Sequence, residues 1–153
     1  MHEELGFNFR FTNLQAAIGL AQMERIEQTI AKKRFLGQQY TKRLERIAAL
    51  QLPVEESWGR SVYWMYGVVV KDEVSMDAKY VAEKLLERGI ETRPFFLGMH
   101  EQPVFKRRGL FKERRYPVSE RLSRQGLYLP SGAALTEEQL AYVADELGRV
   151  LCQ

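Results

Sequence analysis

The sequence predicts an α+β domain in which a small antiparallel-type sheet carries helices on one face and follows one long helix. Two observations predict this class. The predicted elements run in the order long helix, strand, helix, strand, loop, helix, strand and helix, and three short strands are too few for a large doubly wound sheet. Apolar residues recur every three to four positions from Leu14 to Ile47, which is typical of a single long helix.

The long helix is predicted over about residues 13–48. Thr12 and Gln15 have the spacing of a capping box, so Thr12 is the predicted N-cap. No proline follows before Pro53, and Gly37 is the one weak position, where we expect a bend. At 1.5 Å per residue such a helix would be roughly 50 Å long, which favours a connection between two bodies or contact with a partner.

The remaining elements are shorter and begin or end at recognisable residues. Gly89 and Gly126 are predicted to end two helices, and Thr136 with Gln139 forms a second capping box. The pattern predicts strands over 61–70, 90–93 and 127–129, helices over 77–88, 117–124 and 136–151, and a partly helical loop over 95–116. The last helix is predicted to bury a stripe formed by Leu140, Val143, Leu147 and Val150.

Length and composition indicate one ordinary domain. The 153 residues are 45% hydrophobic and 28% charged, which is average for a globular protein. No apolar run approaches the ~20 residues of a membrane span, and Glu3 and Glu4 stand where a secretory signal would be basic. A single cysteine, Cys152, and two histidines predict neither a disulfide nor a metal site. We therefore expect a cytoplasmic location and no membrane partner.

Positive charge is concentrated in residues 106–115, which we call the basic segment. It contains six basic residues and one acid, whereas the whole chain has a net charge of +3. The segment is either a solvated surface loop or a site for an anion or a partner. One alternative function is a nucleic-acid-binding module in which Tyr63, Trp64 and Tyr66 would stack on bases, although they do not all share one strand face.

Asn8 and Arg10 form the first candidate site. They lie two residues apart in a frame of three phenylalanines, directly before the long helix. Asparagine and arginine supply directional hydrogen bonds and a bidentate contact to anions, and the helix N-terminus adds a positive dipole end. A structural alternative is that Asn8 completes a turn while Arg10 pairs with Glu3 or Glu4.

Arg93 and His100 form the second candidate site. Arg93 lies at a predicted strand end and His100 in the loop beyond it, with Pro94 stiffening the turn between them. Together they could hold a diphosphate, although a lone histidine is more often structural. Neither candidate site contains a nucleophile with an obvious base, so no catalytic residue is predicted. Residue chemistry alone therefore indicates a binding domain without a reaction centre.

Four stretches resemble one enzyme family in order and spacing. They are GFNFRFTNLQAAIGLAQMERI from Gly6, SVYWMYGVVV from Ser61, GIETRPFFLGMH from Gly89 and GLYLPSGAALTEEQL from Gly126. Over about residues 2–150 the chain resembles the C-terminal part of DegT/DnrJ/StrS-type sugar aminotransferases. These are fold type I enzymes that use pyridoxal phosphate to aminate nucleotide-linked keto-sugars. The resemblance implies a homodimer, with glutamate as the amino-acid donor.

The resemblance also implies a role for each candidate residue. Asn8 is similar to an asparagine that reaches across the dimer to the cofactor phosphate of the partner subunit. Arg10 resembles an arginine near the carboxylate of the amino donor or the phosphates of the sugar nucleotide. Arg93 and His100 match a segment near the entrance to the sugar-nucleotide site. Asn8 is therefore predicted to bind the cofactor, and the other three residues to bind substrate.

The sequence departs from the family in two respects. The family's N-terminal domain, with the lysine that binds pyridoxal phosphate, is absent, and no lysine here has the family's context. Because transamination needs that amine, the isolated chain is predicted to be inactive and not to retain the cofactor. Gly98 replaces a proline that family members usually carry before the Met-His pair. A scaffold subunit that oligomerises through the long helix is the remaining alternative.

Overall fold

The computed structural model describes residues 1–152, in which helices surround a small sheet. The elements are α1 (Asn13–Met23), α2 (Ile26–Leu44), β1 (Leu50–Gln51), β2 (Tyr66–Val70), α3 (Ala78–Leu86), β3 (Arg93–Pro94), α4 (Pro103–Arg107), α5 (Pro117–Gln125), β4 (Gly126–Leu129) and α6 (Glu137–Leu151). A 3₁₀ turn at Met99–Glu101 precedes α4. This content confirms the predicted α+β class.

The sheet is antiparallel throughout and has the order β1-β2-β4-β3. Its centre is the pairing of β2 with β4, in which Val68 lies opposite Leu127 and Tyr66 opposite Leu129. Strands β2 and β4 were predicted, although β2 is shorter than the predicted 61–70. The strand predicted over 90–93 is wrong in its bounds, because β3 covers only Arg93–Pro94 and residues 90–92 are not in a strand. The two-residue strand β1 was not predicted, because it is too short to show a period of two.

One face of the sheet carries the hydrophobic core. Because alternate strand residues share a face, Tyr66, Val68 and Val70 point the same way, and all three are buried. Helices α2, α3 and α6 supply the opposing layer, whose members include Leu36, Tyr40, Leu44, Val81, Leu85, Leu140, Val143, Leu147 and Val150. The buried stripe predicted for the last helix is therefore confirmed.

The other face of the sheet is covered by an aromatic side chain. Phe95 follows β3 and lies over Gly67 and Gly126, two glycines on neighbouring strands. Its ring stacks on Tyr128 with the centroids 4.4 Å apart. Both glycines are needed here, because a Cβ at Gly126 would lie 2.3 Å from the Phe95 ring.

Two helices replace the single helix predicted over 13–48. The chain leaves helical geometry at Arg25, and the Arg25 N–H bonds to the Gln22 carbonyl, which tightens the last turn of α1. Helix α1 has no buried side chain, so no core contact holds it in line with α2. The second helix ends at Leu44, and the long connecting helix is therefore shorter than expected.

Gly37 was expected to bend this helix, but it lies inside α2, where its lack of a side chain allows a close contact with Tyr63. A Cβ at Gly37 would lie 2.5 Å from Cγ of Tyr63, whose ring packs on the helix at this point. Tyr63 has a φ of +47°, which an extended strand does not allow. For this reason the strand predicted over 61–70 begins only at Tyr66.

The residues that begin or end helices were predicted more reliably than the lengths of the helices and strands. Thr12 and Thr136 both form complete capping boxes, as predicted. After α3, Gly89 has a φ of +75°, and the Ile90 N–H bonds to the Leu85 carbonyl in a Schellman motif. Pro117 occupies the first turn of α5, where its missing N–H costs nothing.

Residues 1–152 were searched for membrane-spanning helices and for groups of metal-binding side chains. None of their helices combines the length and the apolarity that crossing a bilayer requires. Their His, Cys, Asp and Glu side chains form no group of three or more that could hold a metal ion.

We expect Gly126→Ala to destabilise the fold by about 1–3 kcal/mol, the usual cost of overpacking. The new methyl group would meet the Phe95 ring and also the Leu122 carbonyl, at 2.6 Å, and that backbone atom cannot rotate away. Urea denaturation of the purified chain measures the effect. Gly132→Ala is the matched control, because a Cβ there meets nothing within 4 Å. Equal stability of the two variants would contradict this account.

Candidate functional site

The first candidate residues lie on an N-terminal segment that is tied to the start of α4. The His2 N–H donates to Oε1 of the buried Gln102 at 2.9 Å, and the Val104 N–H donates to the His2 carbonyl. Glu3 pairs with Arg107 of the basic segment. Beyond these contacts the chain is exposed up to α1, so its position near α4 is fixed only at residues 2 and 3.

Asn8 and Arg10 occupy a tight turn in this segment. Oδ1 of Asn8 accepts a hydrogen bond of 2.9 Å from the Arg10 N–H, and Arg10 has a φ of +71°. A left-handed arginine costs roughly 1–2 kcal/mol, which the side-chain bond partly offsets. The turn expected for Asn8 in the structural alternative is therefore present. The ion pair expected with it is not, because Glu3 pairs with Arg107 and, within residues 1–152, Arg10 has no ion pair.

The turn leaves two donor groups available. Asn8 uses only its carbonyl oxygen in the turn, so its amide N–H groups and the Arg10 guanidinium have no protein partner among residues 1–152. Both side chains are exposed. An amide and a guanidinium side by side at the start of α1 are suited to binding an anion.

Apolar side chains surround this pair and are also exposed. Phe7, Phe9 and Phe11 are 83–89% exposed, and the rings of Phe7 and Phe9 lie 6.3 Å apart. Leu5 is exposed as well, as are four apolar side chains of α1, and we call the whole set the N-terminal apolar face. Its members are Leu5, Phe7, Phe9, Phe11, Leu14, Ile18, Leu20 and Met23, of which the α1 members lie on more than one side of the helix. Exposed apolar side chains in this number are typical of a surface that contacts another protein or domain.

Arg93, at the start of β3, is exposed and lines a cavity of about 760 Å³. Tyr128, Ser131, Glu138 and Tyr142 line the same cavity, which is predominantly apolar in its remaining walls. The Arg93 backbone pairs with Tyr128 across the sheet edge, which fixes the base of the side chain. Arg93 is thus held by a strand, although it begins this strand, whereas the prediction had it at the end of one over 90–93.

His100 lies elsewhere, in the 3₁₀ turn before α4, with a side chain that is 9% exposed. Its Nε2 lies 3.5 Å from Oε1 of Glu120 and has no hydrogen-bond partner within residues 1–152. The imidazole also packs against Tyr116, with the ring centroids 4.7 Å apart. Gly98 makes this position possible, because a Cβ there would lie 2.7 Å from Cε1 of His100.

Two carboxylates beside His100 are held ionised by arginines and a backbone donor. The Arg124 guanidinium lowers the pKa of Glu101 through a side-chain hydrogen bond. The Tyr116 N–H, at 2.9 Å, lowers the pKa of Glu120, and Arg115 adds to the effect. Both shifts favour the charged form, so His100 faces two carboxylates at neutral pH.

The structure therefore separates two residues that the sequence analysis combined. Arg93 lines the cavity beside α6, whereas His100 lines a different cavity beside the basic segment, so they do not share a diphosphate site. The link between His100 and the basic segment was missed. No sequence signal indicates it, because the link depends on how α5 returns along the 3₁₀ turn.

The stacking platform proposed for a nucleic-acid-binding module is not formed. Tyr66 is fully buried against Tyr40, and Tyr63 packs on α2 at Gly37. Only Trp64 of the three aromatic residues is widely exposed, at 71%. A single exposed ring does not make a platform for successive bases.

Three curated relatives resemble nearly the whole chain. The GDP-perosamine synthase of Caulobacter vibrioides is 36% identical over 148 residues, covering 96% of this chain and 39% of the relative. The GDP-perosamine synthase of Escherichia coli O157:H7 is 31% identical over 146 residues, covering 95% and 38%. The putative pyridoxal phosphate-dependent aminotransferase EpsN of Bacillus subtilis is 30% identical, covering 98% and 37%. The chain thus spans less than two fifths of the length of these relatives.

Solved structures share the fold. DesV of S. venezuelae, solved in complex with a ketimine intermediate, superposes with a TM-score of 0.82 at 24% identity, covering 100% of this chain and 40% of DesV. The E. coli GDP-4-keto-6-deoxy-D-mannose-3-dehydratase, solved with bound hydrated PLP, has a TM-score of 0.75 at 21% identity, covering 93% and 36%.

A family model extends the match along the chain. It describes the DegT/DnrJ/EryC1/StrS aminotransferases and matches residues 1–148, which include both candidate sites. The match agrees with the α+β fold and with the four stretches of resemblance in the sequence. The chain belongs to the DegT/DnrJ/EryC1/StrS aminotransferase family.

Proposed function

We propose that this chain is the C-terminal part of an aminotransferase that aminates a nucleotide-linked keto-sugar, with pyridoxal phosphate as cofactor and glutamate as amino donor. The observation that carries the proposal is the Asn8–Arg10 turn, whose donor groups are unpartnered within residues 1–152 and framed by exposed phenylalanines. The names of the relatives support the reaction class, and a cytoplasmic homodimer is part of the proposal.

Asn8 and Arg10 fit the anionic ends of the reactants. The Asn8 amide would donate to the cofactor phosphate, and the hydrogen bond from the Arg10 N–H to Oδ1 of Asn8 holds the amide in place. Arg10 binds the donor carboxylate, for which its planar guanidinium is suited. When bound, pyridoxal phosphate supplies an electron sink for the reacting carbon. The surrounding phenylalanines exclude water once another protein surface covers them.

The lysines of this chain do not fit the role of the cofactor-binding amine. Burial lowers the pKa of Lys33, but its ammonium donates to the Ser131 carbonyl. Lys33 lies on α2, and this hydrogen bond ties its side chain to the loop after β4. We infer that the amine belongs to a region of the full-length protein outside this sequence, as the relatives' greater length allows.

The exposed N-terminal apolar face supports the inference that the amine belongs to another region, because a separate domain or subunit would cover this face. The scaffold alternative uses the same face without chemistry. Co-purification of the chain with a separate lysine-bearing partner would favour the scaffold alternative over an aminotransferase encoded as one chain.

In a full-length protein that contains this chain, we expect Asn8→Asp to weaken retention of pyridoxal phosphate. Aspartate keeps the oxygen that accepts the Arg10 N–H, so the turn survives, but a carboxylate would replace the amide donors facing the phosphate. The expected loss is roughly ten- to a hundredfold in cofactor affinity, measured by dialysis and absorbance. Gln28→Glu, which makes the same amide-to-carboxylate change at an exposed position of α2, is the control. Equal retention by both variants would refute the role of Asn8.

We expect the 153-residue chain alone to form no aldimine with pyridoxal phosphate, because its lysines lack a suitable site. Absorbance spectra and borohydride reduction followed by peptide mass spectrometry test this expectation. Lys33 is the residue to inspect first, since its pKa is lowered. A stoichiometric adduct on one lysine, lost in Lys33→Gln, would show that the chain carries its own amine.

A further inference from the structure

The segment that leads to Asn8 is joined to the start of α4 through both backbone polar groups of one residue. The His2 N–H donates to Oε1 of Gln102 at 2.9 Å, and the His2 carbonyl accepts a hydrogen bond of 3.2 Å from the Val104 N–H. We call these two hydrogen bonds the tether. Gln102 lies 100 positions after His2 in the sequence, so the tether closes a long loop of chain.

Gln102 has the surroundings of a structural amide. Its side chain is buried, and its Nε2 donates to the Leu97 carbonyl at 3.0 Å, which fixes the direction of the oxygen that His2 contacts. Gln102 is the N-cap of α4, but its side chain forms no capping hydrogen bond to that helix. The Val104 N–H, which a cap would ordinarily satisfy, is used by His2. The start of α4 is therefore committed to the N-terminal segment.

An ion pair outside the tether adds a weaker contact between the same two regions. The Arg107 guanidinium pairs with the Glu3 carboxylate, and both side chains are more than half exposed. An exposed ion pair contributes little to stability and is screened by salt. The hydrogen bond to the buried side chain of Gln102 is therefore the stronger part of the connection.

The stretch that contains Asn8 has few other contacts. Within the described chain, the one hydrogen bond formed by residues 4–11 is the internal bond of the Asn8–Arg10 turn. Helix α1 has no buried side chain, and the first buried residue along the chain is Leu36 in α2. The turn therefore lies between the tether on one side and α2 on the other. Loss of the tether would let it take many more positions relative to the sheet.

We propose that Gln102 is a positioning residue for the Asn8–Arg10 turn, and that it affects cofactor binding only through Asn8. The inference rests on the proposed function, in which the Asn8 amide donates to the cofactor phosphate. By restricting the turn before the phosphate binds, the tether reduces the conformational entropy that binding removes. A side chain at the start of α4 thus contributes to cofactor affinity by holding the segment that carries the binding residue.

Backbone dynamics of the 153-residue chain test the tether without cofactor or turnover. Gln102→Leu removes both side-chain hydrogen bonds while keeping a side chain of similar size, and we expect the ¹⁵N heteronuclear NOEs of residues 3–7 to fall to values typical of a disordered terminus. The control, Tyr66→Phe, removes a buried hydrogen bond to Thr41 and should leave these NOEs unchanged. Unchanged NOEs in Gln102→Leu would overturn the inference.

Cofactor affinity of a full-length protein that contains this chain is the second measurement. We expect Gln102→Leu to weaken retention of pyridoxal phosphate about five- to tenfold and Tyr66→Phe to leave it unchanged. Because Gln102 acts through Asn8, Gln102→Leu should cause no further loss when Asn8→Asp is already present. A purely structural role would give the same loss in both backgrounds, and that result would overturn the inference.

A surface variant carries the test if Gln102→Leu does not fold. Arg107→Ala removes the exposed ion pair with Glu3, and we expect about a two- to threefold loss of cofactor affinity at low salt that disappears at high salt. Arg108→Ala is the matched control, because it removes the same charge from the next position, which is exposed and has no ion pair within residues 1–152. Equal affinities of these two variants would overturn the inference.

The two measurements separate failure of this inference from failure of the proposed function. Lower NOEs in Gln102→Leu, together with unchanged cofactor retention in Asn8→Asp, would overturn the proposed function and leave the tether in place. Weaker retention in Asn8→Asp, together with unchanged retention in Gln102→Leu, would overturn only the positioning role of Gln102.

Discussion

The buried side chain of Tyr40 is the contact on which the arrangement of the other elements depends. Its ring stacks on Tyr66 with the centroids 4.9 Å apart, which fixes α2 against the central strand β2. Its hydroxyl donates a hydrogen bond of 2.7 Å to the Pro130 carbonyl, just after β4. Burial raises the pKa of both tyrosines, that of Tyr66 to about 12, so both hydroxyls stay protonated. One aromatic pair therefore joins a helix, both central strands and a wall of the Arg93 cavity.

Features that depend on neighbours in sequence could be predicted. Capping boxes, the Schellman glycine and the stripe of α6 each need only a few nearby residues, and all are present in the structure. Features that depend on distant contacts could not. Residues 61–65 look like a strand, but Arg34 pairs with Glu55 and donates to the Ser61 carbonyl, which holds this stretch as a loop over α2. In residues 61–65 tertiary contacts therefore outweigh the β propensity of the sequence.

The candidate sites show the same limit. The Asn8–Arg10 turn is local and was anticipated as one of two alternatives. The surroundings of His100 were not anticipated, because Glu120 approaches it from α5 and Tyr116 from the residue before that helix, sixteen to twenty positions later in the chain. Because Arg93 and His100 are close in sequence, they were predicted to form one site. In the structure the imidazole of His100 lies toward α5, next to Gly98, which has no side chain. The absence of a Cβ at Gly98 therefore leaves room for the imidazole in its observed position.

The exposure of α1 has a consequence for the thermodynamics of assembly. A helix of 11 residues with no buried side chain is only marginally stable by itself, even with a complete capping box. Its amide protons should exchange with solvent far faster than those of α6. Order in α1, and in the turn that precedes it, would then be acquired when another surface covers its apolar side. Folding of this segment and formation of a complete active site would be one coupled equilibrium, in which part of the association free energy is spent on ordering the chain.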